Sequence, residues 1–403
     1  MGLTMGERQS LVRVSARRYQ RASKKEKRKI LDEFVQSTGY HRTYASYLLT
    51  GQGRRVAVPG NPMIVGDIRK RVRKKREPVY GAEVVKALKQ IWMIMDMICG
   101  KRLKTALPEV VPKLERWGEL KVDSDVREKL LRMSASTIDR LLADERKRME
   151  LKSRSGTKPG TLLKHQVPIR TFSEWDESKP GFIEIDLVSH GGGDEQGDFC
   201  QTLSATDVCS GWTETEAVQN KAQVWVFEGL TRIRARLPFA LLGIDSDNGS
   251  EFINKHLVAY CEREGISFTR SRPYRKNDNC FVEQKNYTVV RKTVGYMRHD
   301  SSKELEILNR LYCYLRLYNN YFLPSMKLSQ KTRIGSKVVK RYDEPKTPYQ
   351  RLLESSSIDR RVKQRLRVEY DKLNPAQLKR EIMCLQQLLW KAVRNKQRKR
   401  RAA

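Results

Sequence analysis

The sequence predicts a multidomain chain. An α-helical N-terminal part with helix-turn-helix character precedes an α/β core on a mixed sheet, and a mainly α-helical C-terminal part follows. Three observations predict this. Apolar residues recur at helical spacing across 23–49 and 81–142. Strand-like runs at 181–188, 199–208 and 212–218 are followed by alternating helical and strand-like segments. A last apolar stripe, Leu378, Ile382, Leu385, Leu389 and Val393, closes the chain. With 403 residues there is length for two to three domains.

Taken in order, a basic start leads to a helix capped by Ser23, with Ile30, Leu31, Phe34 and Val35 on one stripe and a break at Thr38-Gly39. A second helix runs from Thr43 to Gly51, completing a helix-turn-helix pattern over 1–52, although any small αα-hairpin reads the same way. Residues 53–80 form a linker in which Arg69, Lys70, Arg71, Arg73, Lys74, Lys75 and Arg76 place seven basic residues in eight positions. Such a run is either solvated or tracks phosphates.

A second helical block covers 81–149. Val84, Val85, Leu88, Ile91, Trp92 and Met95 form its first stripe, and Asp123 or Ser124 caps a helix ending at Met133-Ser134. The next helix begins Ala135-Ser136-Thr137, a second helix-turn-helix pattern in which Ser136, Thr137 and Arg140 are the expected DNA-facing residues. A polar, basic linker fills 150–174 and the α/β region 175–325. The C-terminal part, 326–403, has a Lys-rich loop, a helix opened by Asn374-Pro375, and a tail, Lys391–Arg401, with seven basic residues and no acid.

The charge narrows the function classes. Lys and Arg number 81 against 47 Asp and Glu, a formal net charge of +34, so a polyanion is the expected partner. No apolar run is long enough for a membrane span or a secretion signal. Seven scattered cysteines without a CxxC pair, and five histidines without zinc-ligand spacing, suggest reduced thiols in a cytoplasmic protein.

Three acidic segments carry the chemistry. Phe182–Val188 is an apolar strand with Asp186 inside it, and a carboxylate in such a strand needs a reason. Leu241–Ile244 is an apolar strand running into Asp245-Ser246-Asp247-Asn248-Gly249. A polar loop from Arg272 then enters a helix with Glu283 in its first turns, 36 positions after Asp247. Carboxylates from a strand centre, a strand end and a helix start can converge at one sheet edge. There they suit hard Mg²⁺ ions, two of which can clamp the attacking and leaving oxygens of a phosphodiester displacement. Glu184 and Asp245 share strand faces with Asp186 and Asp247, so either could be an outer group or a ligand. Asp207 and Asp278 read as loop or strand-edge acids.

The stretch 175–325 resembles the integrase catalytic core of DDE transposases and retroviral integrases, a ribonuclease-H-like fold. IEID, SDNGSEF and RPYRKNDNCFVEQKN are similar to the three signature segments of the bacterial insertion-sequence branch. The resemblance implies Asp186, Asp247 and Glu283 as the catalytic and metal-binding triad, with two Mg²⁺ (or Mn²⁺) ions per site. It implies metal-dependent cleavage at the end of a mobile element, then attack of the freed 3′-OH on target DNA. Its expected partners are double-stranded DNA, as element ends and target, and further copies of the chain on that DNA. The chain departs from the retroviral pattern in having no N-terminal His/Cys zinc module. Tyr287 and Val290 also stand where lysines follow the glutamate there, so Lys285, Arg291 or Lys292 would supply the DNA contacts. The competing expectations are a DNA-binding regulator or domesticated transposase without strand transfer, a plain metal-dependent nuclease, and a structural RNA binder.

Overall fold

The computed structural model describes residues 3–53, 55–56, 64–65, 79–149, 179–194, 196–246, 252, 255–270, 280–334 and 337–402. The basic run Arg69–Arg76, the linker expected at 150–174 up to its end, and Asp247 lie outside the described residues. The chain divides into two compact units, residues 1–79 and 80–403.

The first unit has three helices, α1 (Met5–Arg21), α2 (Lys24–Thr38) and α3 (Arg42–Gly51). Thr4 and Glu7 close a capping box at the start of α1, as Ser23 and Glu26 do for α2. Gly39, at φ 70°, ends α2 in the left-handed conformation and turns the chain into α3. Val12, Ala16, Leu31, Phe34, Ala45, Leu48 and Leu49 form the core. In the sequence α1 reads only as a basic start, because Val12 and Ala16 alone of that helix are buried and no apolar stripe announces it. Two short strands, β1 (Arg55–Val56) and β2 (Ile64–Val65), pair antiparallel beyond α3.

The second unit opens with α4 (Ala82–Ile94), α5 (Gly100–Arg116), α6 (Ser124–Arg132), α7 (Ala135–Leu141) and α8 (Ala143–Met149). Pro108 and Pro112 lie inside α5, where proline normally interrupts a helix, and they mask it in the sequence. A Cβ on Gly100 would meet the Ala135 carbonyl at 2.2 Å, so a glycine there lets α5 and α7 approach closely.

The sheet follows: β3 (Phe182–Ser189), β4 (Gln201–Asp207), β5 (Thr213–Val218), then α9 (Gln223–Arg236), β6 (Gly243–Ser246), α10 (Lys255–Arg263) and β7 (Ser267–Arg270). Strand order is β5-β4-β3-β6-β7, with β3–β5 an antiparallel meander and β6 and β7 parallel to β3. This is the mixed, ribonuclease-H-like sheet expected. Next come α11 (Cys280–Lys285), a π-helical segment (Asn286–Arg291), α12 (Lys292–Val294) and α13 (Ser302–Phe322). The C-terminal region holds a hairpin, β8 (Leu328–Ile334) and β9 (Lys337–Tyr342), then α14 (Pro348–Glu354), α15 (Arg360–Lys372) and α16 (Pro375–Ala402). Asn374 opens α16 as expected, its side-chain oxygen accepting the Ala376 amide at 2.9 Å.

One apolar core lies between the sheet and α9 and α10, and includes Ile183, Ile185, Leu203, Ile233 and Ile244. A larger one joins α4–α7 to α13 and the C-terminal helices, from Leu88 and Trp92 through Leu107 and Leu142 to Leu311, Tyr318 and Leu385. The second helical block thus shares its core with α13 and α16. Among the described residues no helix is long and apolar enough to cross a membrane.

Candidate active site

Alternation along β3 puts Glu184 and Asp186 on one side of the strand. Ile183–Ile185 pair in parallel with Ile244–Ser246, so β3 carries Asp186 just past this ladder, at the carboxyl end of the paired strands. Asp186 is partly buried. One carboxylate oxygen accepts the Leu187 amide at 2.8 Å and the other accepts Nδ2 of Asn286 at 2.6 Å. Asn286 follows Glu283 by three residues, which sets both on adjoining turns of one helix face. Asn286 is also the first residue of the π-helical segment, a local widening often found at functional sites.

Glu184 has a different task. It is buried, and its Oε2 accepts the amides of Phe281 and Val282 at 3.0 and 2.9 Å. Those N–H groups stand in the first turn of α11, where a carboxylate also faces the positive end of the helix dipole. Glu184 therefore fixes the helix start that carries Glu283, and Glu283 itself is exposed. Of the two readings open for Glu184, the geometry supports a positioning residue. Asp245 is buried and accepts Oγ1 of Thr269 on β7 at 2.6 Å. Asp207 is fully buried, holding the Gly181 amide at 2.8 Å and the Ser210 amide at 2.6 Å, and burial raises its pKa.

The Asn286 bond ties Asp186 on β3 to the helix that carries Glu283. Among the described residues no three His, Cys, Asp or Glu side chains form a metal cage, and the set read from the sequence needs Asp247. The donor chemistry fits a hard divalent cation, since these are carboxylates. Oδ1 of Asn286 is buried with no hydrogen-bond partner among the described residues. That is the atom an ion or its water would satisfy. Sequence reasoning missed Asn286, whose bond to Asp186 spans 100 residues of sequence.

The residues read as DNA contacts divide by exposure. Ser136 and Arg140 are exposed on α7, whereas Thr137 is partly buried, its hydroxyl 2.9 Å from Ser134 Oγ. Lys292 is exposed. Arg291 is partly buried, 4.8 Å from the Tyr296 ring, with its pKa lowered by burial. Val290 is buried while Tyr287 is 57% exposed, so only the latter of the two non-lysine positions reaches solvent.

Lys285 is partly buried, and burial together with Arg102, Arg351 and Lys327 lowers its pKa to about 8. Lys285 is charged in both folded and unfolded chains below about pH 8, so the cost of that charge in the fold is then fully present. It fades as pH rises toward the unfolded value of about 10.4, where both states become neutral. Lys285→Met is expected to raise stability at pH 7 by about 1–2 kcal/mol and to remove the gain the parent shows between pH 8 and 10. Urea unfolding across that range checks it.

Residues 176–276 match the integrase core domain family, a span that contains Asp186 and Asp247 and stops before Glu283. Uncharacterized protein y4rM of Sinorhizobium fredii (strain NBRC 101917 / NGR234) is 41% identical over 349 residues, 87% of this chain and 96% of that protein. The chain is an integrase-core protein of the y4rM family. Solved structures similar to it include the HTLV-2 integrase catalytic core domain in complex with magnesium, in a dimeric form. That one is 14% identical over 36% of this chain and 90% of its own, at a TM-score of 0.28. The BIV integrase catalytic core domain is 17% identical over 42% and 91%, at 0.26. The likeness to y4rM, over 349 residues, extends well beyond the 176–276 match.

Proposed function

We propose that this integrase-core protein is a DNA transposase that cuts at the ends of a mobile element and joins the freed 3′-OH to target DNA. The observation carrying the reading is the meeting of Asp186 on β3 with the Glu283 helix through the 2.6 Å Asn286 bond, next to a buried Asn286 oxygen that has no partner among the described residues. Asp186, Asp247 and Glu283 would hold two Mg²⁺ or Mn²⁺ ions, which would supply charge stabilisation for the phosphodiester displacement. Asp186 keeps its orientation through Asn286 and the Leu187 amide, and Glu184 keeps Glu283 in place. No covalent enzyme intermediate is required, because the chain's task is to position DNA and bring carboxylates to one point.

DNA is gripped by the basic run Arg69–Arg76, by the α3 face bearing Tyr44 and Tyr47, and by Ser136 and Arg140 on α7. Lys292 lies nearer the site. The protein works as an oligomer that brings element ends together, in the cytoplasm where that DNA lies. A labelled element end incubated with purified protein, plasmid and Mg²⁺ or Mn²⁺ tests the reading. Joined product that disappears with Asp186→Asn, while end binding stays, supports it. Cutting without joining would mark a nuclease, and binding with neither reaction a regulator.

A further inference from the structure

The basic residues that the sequence offers as DNA contacts lie in the linker, on α7, beside the site and in the tail, and none of them is on α15. We infer that α15 carries a second, sequence-independent binding surface for the phosphate backbone of duplex DNA. The inference rests on the chain being a DNA-acting integrase-core protein and adds a site to it.

From Arg360 to Arg367 five of eight residues are basic and none is acidic. At 3.6 residues per turn, Arg360, Lys363, Gln364 and Arg367 fall on one stripe of the helix, with Arg361 at its edge and Arg365 on the opposite side, while Leu366 is buried. Except for partly buried Lys363, these cations are exposed. Among the described residues no ion pair or side-chain hydrogen bond compensates any of the five. Of the nearby acids, Asp359 caps the start of α15 by accepting the Arg361 amide at 2.6 Å, Glu354 pairs with Lys346 at 2.7 Å, Glu369 accepts the Tyr321 hydroxyl at 2.5 Å, and exposed Asp371, one turn after Arg367, makes no ion pair with it among the described residues.

This placement works against the isolated helix. Arg360 and Arg361 stand at its positive end, and Arg360/Lys363, Arg361/Arg365 and Lys363/Arg367 are like-charge neighbours. A bound polyanion turns each of these unfavourable terms into a favourable one. A surface for it exists: an open concavity of about 550 Å³ lined by Leu353, Arg360, Arg361, Lys363, Gln364 and Arg367.

The chemistry of the lining selects the occupant. It holds no aromatic ring on which unpaired bases could stack, which disfavours single-stranded nucleic acid. It offers one side-chain amide and otherwise charge, which grips phosphate without reading base edges. The stripe runs about 10 Å along the helix, enough to lie along a duplex backbone. Sequence-independent duplex is what a transposition target presents.

The test uses the full chain with Arg360→Gln, Lys363→Gln and Arg367→Gln combined, against a control of equal charge change, Lys221→Gln, Lys303→Gln and Arg310→Gln, all exposed. Binding to a fluorescent random-sequence duplex is measured from 50 to 300 mM salt. The α15 variant is expected to bind about tenfold or more weakly at 100 mM. Its log-affinity against log-salt slope should be shallower by about 2–3, near 0.9 for each phosphate no longer neutralised. The control should follow the parent, and circular dichroism should find both variants folded. An unchanged slope, an equal loss in the control, or a larger loss on single strands or polyglutamate than on duplex overturns the proposal. Joining of element ends is scored separately. A shallower slope in a protein that never joins DNA keeps this surface and sinks the transposase reading, and joining with an unchanged slope does the reverse.

Discussion

Glu283→Gln is expected to abolish metal-dependent joining, by at least about 10³-fold, while binding of element ends stays within about twofold of the parent. Removing one carboxylate charge from a divalent-cation site costs several kcal/mol of transition-state stabilisation, and about 1.4 kcal/mol is a factor of ten in rate. Glutamine keeps the shape of Glu283 at its exposed position. Glu184 supplies the contrast. Glu184→Ala leaves the amides of Phe281 and Val282 without their buried acceptor and releases the start of α11. Joining is expected to fall about 10²-fold with the triad intact, and stability by about 2–3 kcal/mol. Glu184→Gln retains an acceptor oxygen and should recover most of both. Rescue by glutamine at 184 but not at 283 separates holding the helix from holding the metal. Equal loss in the two glutamine variants, read as joined product per hour across a Mg²⁺ titration, would contradict that division.

The legible parts of this fold are those where one physical signal dominates. The strands β3, β4, β5 and β6 follow from apolar runs, and their observed bounds fall within a few residues of those expected. Ser23 and Asn374 mark helix starts because capping side chains act locally. Elsewhere competing signals hide the element. α1 and α15 bury so few residues that periodicity is faint, and α5 contains two prolines. The β8–β9 hairpin reads as a Lys-rich loop because its exposed strands alternate charge with little apolar content. At the site, the apolar strand bearing Asp186 and the helix start bearing Glu283 were legible as elements. The roles of Glu184 and Asn286 were not. They arise from contacts 97 and 100 residues apart in sequence, which no local pattern encodes.

Lys396→Met is expected to lower stability by about 3 kcal/mol at pH 7, a large effect for one residue in a tail rich in positive charge. Glu304, at the start of α13, is 1% exposed. Its carboxylate accepts Lys396 Nζ at 2.8 Å, the amides of Asp300 and Ser301 at 3.1 Å each, and Ser301 Oγ at 2.7 Å. Lys396 also reaches Asp300 at 2.5 Å, so one ammonium on α16 neutralises two carboxylates beside α13. Burial alone would push the Glu304 carboxyl up, yet hydrogen bonds from His299, Lys396 and Ser301 hold it well below the ordinary glutamate range. A depressed carboxylate contributes stability above its unfolded value, near pH 4.5, and loses it as pH falls through the folded one. Without Lys396 the folded value of Glu304 rises, and the gap between parent and variant should be full at pH 7 and narrow as pH falls from that raised value toward the depressed one of the parent. In a double-mutant cycle, adding Glu304→Gln should cost less in the Lys396→Met background than in the parent, because the buried charge then lacks its partner. The neighbours Lys391, Arg394 and Arg398 stay free to meet DNA, but Lys396 is expected to leave the salt dependence of DNA binding unchanged. Within one basic tail, then, burial of Val393 and the Glu304 pair decide which cation serves the fold. A uniform loss of DNA affinity on Lys396→Met with stability intact would show that the ion pair contributes nothing.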